Sequence, residues 1–162
     1  MNIYLIGMPG SGKNKVAAAL AEKLNRPYLD LDGIIEQDAL MFIDEIFERH
    51  GEDAFRRLET KALADITATD AVIACGGGIV TRRENKTLMN GRVILLDVDL
   101  SIIQERLSQG PPRPLLKTMS LEALHEARFL QYQDFADLVV SNDGELTDTV
   151  SFIIKTLQEN PI

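Results

Sequence analysis

A glycine-rich segment at residues 7–13 constrains the fold of this chain more than any other feature. It reads Gly-Met-Pro-Gly-Ser-Gly-Lys, follows a short apolar run at residues 3–6, and precedes an Ala- and Leu-rich stretch at residues 13–24. The glycines let the backbone turn so that successive N–H groups point inward, and a helix that starts here adds partial positive charge at its N-terminus. A strand, a tight loop and a helix in this order form a site for phosphate groups.

The spacing of this segment matches the Walker A motif of proteins that bind nucleoside triphosphates. It predicts that ATP is bound by Gly10, Ser11, Gly12 and Lys13, with Lys13 bridging the β- and γ-phosphates and acting in catalysis. The alternative is an ordinary glycine-rich turn with a solvated lysine. The strand before the segment and the helix after it argue against that alternative.

Asn14 is the one departure from the motif, because Walker A has a Ser or Thr there whose hydroxyl binds Mg²⁺. The amide oxygen of asparagine can also coordinate a hard cation, but the side chain is longer and neutral. We therefore expect Mg²⁺ to be held by Asn14 together with water and nearby carboxylates. Because Asn14 replaces the usual hydroxyl, slow or absent turnover of the protein remains open.

Short apolar runs alternate with helical patterns along the whole chain, which indicates an α/β fold with a parallel sheet between two helical layers. The pattern predicts a three-layer α/β/α domain with a five-stranded parallel sheet, of the P-loop NTPase type related to nucleoside-monophosphate kinases. The strands are predicted at residues 3–6, 28–31, 72–75, 93–97 and 138–141. Helices are predicted at residues 13–24, 54–67, 120–136 and 147–158.

Composition limits the partners of the chain. Its 162 residues, 45% of them apolar, fit one domain spanning residues 1–162. Its net charge of −8 repels nucleic acid and anionic membranes, so an anionic ligand needs local positive charge. One cysteine and two histidines are too few for a zinc site of the cysteine–histidine type, and the cysteine count is compatible with a reducing compartment. We expect a cytoplasmic protein, with a monomer as the default.

Several further motifs follow the glycine-rich segment in a fixed order. They are Tyr28-Leu29-Asp30-Leu31-Asp32, Ile43-Asp44-Glu45-Ile46-Phe47, the stretch from Gly51 to Glu59, Gly76-Gly77-Gly78, Arg113-Pro114-Leu115-Leu116, and Arg128 with Tyr132. Together they resemble the signatures of the shikimate kinase family, and the resemblance runs from the first strand to the last helix. Small departures are Cys75, where a small residue or threonine is frequent, and Leu40, where a glycine is common.

The resemblance implies an ATP-dependent kinase that phosphorylates the 3-hydroxyl of shikimate, in the biosynthesis of chorismate and the aromatic amino acids. It also implies a substrate-binding helical segment at residues 33–60 and a lid at residues 109–119. Asp32 is expected to position the acceptor hydroxyl and take its proton. Asp30 is expected to reach Mg²⁺ through water. Taken without the glycine-rich segment, the two carboxylates could equally cap a helix or form surface ion pairs.

Shikimate carries a carboxylate and several hydroxyls, so its pocket needs a bidentate cation at one end. The family motifs assign Arg56 and Arg128 to that task. Gly76, Gly77 and Gly78 would bring backbone N–H groups close to the substrate, although a flexible turn is the alternative. Arg57 is interpreted as a solvated surface residue.

The remaining predicted site residues lie further along the chain or support those above. Arg113 lies in a segment rich in Gly and Pro at residues 110–114, and lid closure would bring its charge to the transferring phosphoryl group. The resemblance implies that Arg106 contacts the adenine, and a surface arginine is nearly as good an interpretation. Glu59 is expected to hold Arg56 through an i, i+3 contact.

Two other functions stay open at this point. The first is a kinase of the same architecture for another small hydroxylated metabolite, such as gluconate or a nucleoside monophosphate. The second is a protein similar to shikimate kinase that binds nucleotide but no longer catalyses, and Asn14 is its only support.

Overall fold

Five short apolar segments form the strands of one sheet in the computed structural model, which describes residues 1–110, 113–117 and 119–160. The strands are β1 (Asn2–Ile6), β2 (Tyr28–Asp30), β3 (Val72–Ala74), β4 (Gly91–Asp97) and β5 (Leu138–Ser141). They pair in the order β2-β3-β1-β4-β5, and every pairing is parallel. The predicted parallel sheet of five strands is therefore confirmed.

The strand bounds differ slightly from the predicted ones. β2 ends at Asp30 because Leu31 already belongs to a helix, and β3 ends one residue before Cys75. β4 begins at Gly91, two residues before the predicted start. A side chain on Gly91 would overlap the backbone of Asn2, so this position admits β1 as a close neighbour.

Helices connect the strands on both faces of the sheet. They are α1 (Lys13–Leu24), α2 (Leu31–Ala39), α3 (Ile43–Ala64), α4 (Glu84–Leu88), α5 (Leu100–Ser108), α6 (Leu121–Phe135) and α7 (Leu146–Glu159), with 3₁₀ turns at Ile79–Thr81 and Pro114–Lys117. The prediction for α1 is confirmed residue for residue. The predicted helix at 54–67 was wrong about its start, because α3 begins at Ile43 and continues through a kink at Gly51, where φ is 84°.

Alternate residues of the central strand point to opposite faces of the sheet. Ile3 and Leu5 pack in a core with residues of α1 and α7, whereas Tyr4 and Ile6 pack in a second core with residues of α2, α3 and α6. Apolar surface is thus buried on both sides, as expected for a parallel sheet. The three-layer arrangement is the predicted one.

The carboxyl ends of all five strands meet at one edge of the sheet, since the strands are parallel. The chain leaves β1 toward α1 on one face, and β1 lies between β3 and β4, so the strand order reverses at this point. In open α/β sheets such a crevice is where ligands bind. Among the described residues, no helix is long and apolar enough to cross a membrane.

Candidate active site

A cavity of about 990 Å³ opens at the carboxyl edge of the sheet. It brings together residues from most of the chain, although they are far apart in the sequence. The predicted site residues that line it are Gly10, Gly12, Lys13, Asn14, Asp32, Arg56, Gly76, Gly77, Gly78, Arg106, Arg113 and Arg128. Ser11 and Asp30 are the two predicted site residues that do not line it.

The phosphate loop, residues 7–13, forms one end of the cavity. Gly10 and Gly12 have φ angles of 81° and 90°, in the left-handed region that favours glycine. Gly12 is the residue before α1, so the helix begins at Lys13 with its first N–H groups directed toward the loop. The N–H of Ser11 donates to the carbonyl of Met8 at 3.1 Å, and its side chain is fully buried beneath the loop.

Lys13 is buried at the centre of the loop. Its Nζ donates to the carbonyl oxygens of Gly7 and Met8, at 2.8 and 2.9 Å. Burial lowers the pKa of Lys13 to about 8, an effect that the charge of Asp32 opposes and that of Arg113 reinforces. The ammonium is therefore held where positive charge is costly, and a bound phosphate would relieve that cost.

Asn142 supports the phosphate loop from behind and was missed by sequence reasoning. Its Nδ2 donates to the carbonyl of Ser11 at 2.8 Å, and its Oδ1 accepts from the Thr149 hydroxyl at 2.7 Å. Arg106 donates both to the Asn142 carbonyl, at 3.0 Å, and to the Gly10 carbonyl, at 3.3 Å. The available signal was a buried polar residue directly after the carboxyl end of a predicted strand.

Asp32 faces the same cavity from the first turn of α2. β2 stops at Asp30 and α2 starts at Leu31, so the two aspartates lie at the junction between this strand and this helix. Burial, followed by the charge of Asp30, raises the pKa of Asp32, while Lys13 and Arg113 lower it. Its Oδ1 is buried and has no hydrogen-bond partner among the described residues. A raised pKa and an unpaired oxygen suit a group that accepts a proton.

The opposite end of the cavity, which we call the arginine end, is formed by Asp32, Arg56, Glu59, residues 76–78 and Arg128. Arg56 and Glu59 are buried on α3, and their side chains meet at 3.0 Å, as the i, i+3 spacing predicted. Glu52, one turn earlier, contacts the same guanidinium at 3.2 Å. Burial raises the pKa of Glu59 to about 7 against the opposing effect of Arg56, so the ion pair is progressively lost as pH falls through that value.

Arg128 reaches this end from α6. Its side chain is buried, with 4% of its surface exposed. No carboxylate in the described part of the chain forms an ion pair with it. The Glu59 carboxylate acts on this charge without forming an ion pair with it. A buried charge outside any ion pair is costly, so the Arg128 guanidinium is available to bind an anion from outside the chain.

The three glycines after β3 allow the charged side chains to approach the backbone. A Cβ on Gly76 would lie 2.8 Å from Asp32 Oδ1 and 3.0 Å from Glu59 Oε2, and one on Gly78 would overlap the Arg56 guanidinium. Only glycine admits these contacts. The turn is therefore part of the site, and a flexible linker is the weaker interpretation.

The cavity contains the local positive charge that an anionic ligand needs in an acidic protein. In a chain with a net charge of −8, the residues that line this cavity include six cations and four carboxylates: Lys13, Lys15, Arg56, Arg106, Arg113 and Arg128 against Asp32, Glu36, Asp44 and Glu59. Such a cavity concentrates anions although the protein as a whole repels them. Phosphate-binding backbone at one end and paired arginines at the other leave room between them for a molecule with an anionic group and a reactive hydroxyl.

The comparisons with known proteins agree with this geometry. The sequence model of the shikimate kinase family matches residues 9–158. The chain is 39% identical over 152 residues to a shikimate kinase of Marinomonas sp. (strain MWYL1), a match that covers 88% of this chain and 84% of the relative. It is 41% identical over 169 residues to a shikimate kinase of Symbiobacterium thermophilum, covering 98% of this chain and 97% of the relative.

A solved shikimate kinase of Acinetobacter baumannii in complex with shikimate superposes with a TM-score of 0.93 at 34% identity. The match covers 99% of this chain and 94% of that chain. The chain belongs to the shikimate kinase family. Members of this family are ATP-dependent kinases that transfer a phosphoryl group to an alcohol. The resemblance and the fold type inferred from the sequence motifs are both confirmed.

Proposed function

We propose that this chain is a shikimate kinase, which transfers the γ-phosphoryl group of ATP to the 3-hydroxyl of shikimate in aromatic amino-acid biosynthesis. The observation that carries the proposal is Arg128, which is buried, forms no ion pair with a carboxylate among the described residues, and lines the same cavity as Arg56 and the phosphate loop. A substrate carboxylate supplies the missing negative charge, and two guanidinium groups can bind it bidentately. The ring hydroxyls of the substrate then face Asp32.

The nucleotide occupies the phosphate loop in this proposal. The loop and the start of α1 direct backbone N–H groups at the phosphates, and Lys13 leaves the Gly7 and Met8 carbonyls to bridge the β- and γ-phosphates. Gly10, Ser11 and Gly12 shape the loop, with Ser11 acting through its backbone. Arg106 borders the cavity beside Gly10 and contacts the adenine.

Transfer begins when the 3-hydroxyl oxygen attacks the γ-phosphorus in line with the bridging oxygen to the β-phosphate. The new O–P bond forms as the bond to the bridging oxygen breaks, and ADP leaves with that electron pair. The hydroxyl proton passes to Asp32, whose raised pKa suits an acceptor. Arg113 stabilises charge on the transferring group from the segment at residues 109–119, which we propose acts as a lid.

Mg²⁺ is the metal that the family and the motif imply. The described residues contain no group of three or more His, Cys, Asp or Glu side chains that could hold a metal by themselves. The donor set fits an ion held mainly by nucleotide phosphates, with few protein ligands. Asn14 lines the cavity and offers an amide oxygen, and Asp30 would act through water. When bound, the ion would neutralise charge on the nucleotide phosphates.

The remaining parts of the proposal concern organisation. We propose one kinase domain in which residues 33–60 bind the acceptor, a segment that supplies Arg56 and Glu59 to the arginine end. The single cysteine, buried after β3, is compatible with a cytoplasmic protein. We propose that the protein acts as a monomer.

An ADP-release assay tests the proposal directly. The purified chain is given ATP, a panel of divalent cations and one acceptor at a time: shikimate, gluconate or a nucleoside monophosphate. We expect turnover with shikimate and Mg²⁺, and none without a divalent cation. Phosphorylation of gluconate or a nucleotide, with none of shikimate, contradicts the proposed substrate. No release with any acceptor or metal favours a nucleotide-binding protein that has lost catalysis.

A further inference from the structure

The turn that follows β3 has its carbonyl groups held in place. The Gly76 carbonyl accepts from the N–H of Ile79 at 3.1 Å. The Gly78 carbonyl accepts from both the N–H and the hydroxyl of Thr81, at 3.0 and 2.7 Å. The Ile79 carbonyl accepts from Nδ2 of the buried Asn85 at 2.8 Å. All four hydrogen bonds come from residues close in sequence.

The Gly77 carbonyl is the exception, because its partner comes from a distant helix. It accepts from the hydroxyl of Tyr132 on α6 at 2.6 Å, across 55 positions of sequence. Tyr132 lies one helical turn after Arg128, so α6 delivers both the guanidinium and this hydroxyl to the arginine end. Only 3% of the Tyr132 surface is exposed, and its packed ring fixes where the hydroxyl lies.

The hydroxyl of Tyr132 acts as a donor. Burial raises its pKa, and the neighbouring Arg128 guanidinium opposes that rise without abolishing it, so the group stays protonated at neutral pH. Arg128 has no acceptor atom on its guanidinium, and therefore cannot take the proton of Tyr132. That proton is directed to the Gly77 carbonyl.

Holding this carbonyl determines where the next N–H points. The peptide group is planar and trans, so the Gly77 carbonyl and the Gly78 N–H point in opposite directions. Gly76, Gly77 and Gly78 line the cavity, and none of their N–H groups has an acceptor among the residues that the structure describes. These N–H groups are donors available to an acceptor molecule in the cavity.

We propose that Tyr132 is a positioning residue for the acceptor substrate. Its hydroxyl holds the Gly77 carbonyl, and through it the Gly78 N–H, in the orientation that binds a hydroxylated carboxylate beside Arg128. The inference rests on the proposed function, since it assumes that the acceptor occupies the arginine end. No hydrogen bond joins Tyr132 to the phosphate loop in the described part of the chain, and Pro9 of that loop lies beside Gly77, so we expect a smaller effect on the nucleotide than on the acceptor.

Tyr132→Phe tests the inference because it removes one hydroxyl and keeps the ring. We expect KM for shikimate to rise about fivefold, the effect of one lost hydrogen bond, while KM for ATP and kcat change less than about twofold. The matched control is Tyr4→Phe, which also removes one buried hydroxyl and keeps the ring. That hydroxyl belongs to a residue of β1 and accepts from Nδ2 of Asn2 at 3.2 Å. We expect Tyr4→Phe to leave both KM values unchanged. A purely structural role for Tyr132 would raise both KM values alike and overturns the inference, as does an unchanged KM for shikimate.

Amide hydrogen exchange without ligands gives a second readout. The N–H groups of Ile79 and Thr81 bond within the turn, and we expect both to exchange faster in Tyr132→Phe and at the parental rate in Tyr4→Phe. A parent that does not phosphorylate shikimate contradicts the proposed function. In that event the exchange data decide the role of Tyr132: faster exchange supports its hold on the turn, and unchanged exchange overturns it.

Discussion

The two ends of the cavity are built on different principles. The phosphate loop is continuous in sequence and offers mainly backbone groups, with one lysine that donates to its own loop carbonyls at 2.8 and 2.9 Å. The arginine end draws on α2, α3, the turn after β3 and α6, and consists mainly of buried charges. One end therefore depends on local backbone conformation, and the other on the correct packing of distant elements.

The same contrast appears in how each end satisfies its charges. Lys13 has carbonyl oxygens as partners, whereas Arg56 is neutralised by Glu59 and Glu52. Arg128 has no carboxylate partner among the described residues. Substitutions in the phosphate loop should therefore affect catalysis, and substitutions at the arginine end should affect acceptor binding. At the arginine end, only some of them should also lower stability.

The largest effect is expected for Lys13→Ala. We expect turnover to fall about a thousandfold or more, because a charge that acts on the transferring phosphoryl group is lost. The control is Lys23→Ala, in the exposed last turn of the same helix, which should keep the parental rate. Steady-state ADP release measures both variants. A parental rate in Lys13→Ala would contradict the assignment of the phosphate loop.

Substitution of the two buried arginines should separate binding from stability. Arg128→Ala is expected to weaken shikimate binding about a hundredfold, because a buried charge partner of the carboxylate is removed. Arg56→Ala should weaken binding similarly and also lower the free energy of unfolding by about 3 kcal/mol, because Glu59 stays buried and unpaired.

Isothermal titration with shikimate and urea denaturation measure the two quantities. Arg57→Ala is the matched control, since Arg57 is exposed beside Arg56 and should change neither. Equal losses of stability in Arg56→Ala and Arg128→Ala would mean that Arg128 has an internal partner.

Asn14→Ser restores the Walker A hydroxyl and should improve metal use. An improvement of about 1.4 kcal/mol in metal binding would raise turnover at limiting Mg²⁺ about tenfold. Titration of turnover against Mg²⁺ concentration, and of Mg²⁺ against the complex with ADP by calorimetry, measures the effect. KM for shikimate should stay the same. No gain in Mg²⁺ affinity would show that position 14 does not contact the metal.

The smallest effect is a dependence on pH that separates the two ends. Phosphates bind the charged form of Lys13, whose pKa burial lowers to about 8, so ATP affinity should be lost as pH rises through that value. Between pH 7.5 and 9 the charged fraction falls about eightfold, and the dissociation constant for ATP should rise to match. Shikimate affinity should change much less over this range, because the pKa of Glu59 at the arginine end, about 7, lies below it. A flat ATP affinity would show that Lys13 keeps its charge in the empty site.

Much of the fold could be predicted because its signals are local. The α1 helix and the five strands follow from periodicity and from glycines at the loop, and their bounds were found to within two residues. The start of α3 was missed because Gly51 interrupts its pattern, and yet the chain continues in helix on both sides of the kink. The second strand was predicted one residue too long, to Leu31, because nothing in the pattern marks the step from β2 to α2 there.

The candidate site was predictable in its membership but not in its contacts. The resemblance to known kinases pointed to Arg56 and Arg128, and the structure brings both to one cavity. Two supporting contacts were not foreseen, from Asn142 to the phosphate loop and from Tyr132 to the Gly77 carbonyl. Each joins residues more than fifty positions apart, so no spacing in the sequence reveals them.

The sequence by itself determined the phosphate loop, the parallel sheet and the acidic charge that makes a local cationic site necessary. These features depend on neighbouring residues, on the conformations that turn residues adopt, and on the charges summed over the chain. Only the tertiary structure decided which buried charges are neutralised from within and which await a ligand. Burial and ion pairing depend on how distant elements pack, and in the described part of this chain that packing leaves Arg128 buried outside any ion pair.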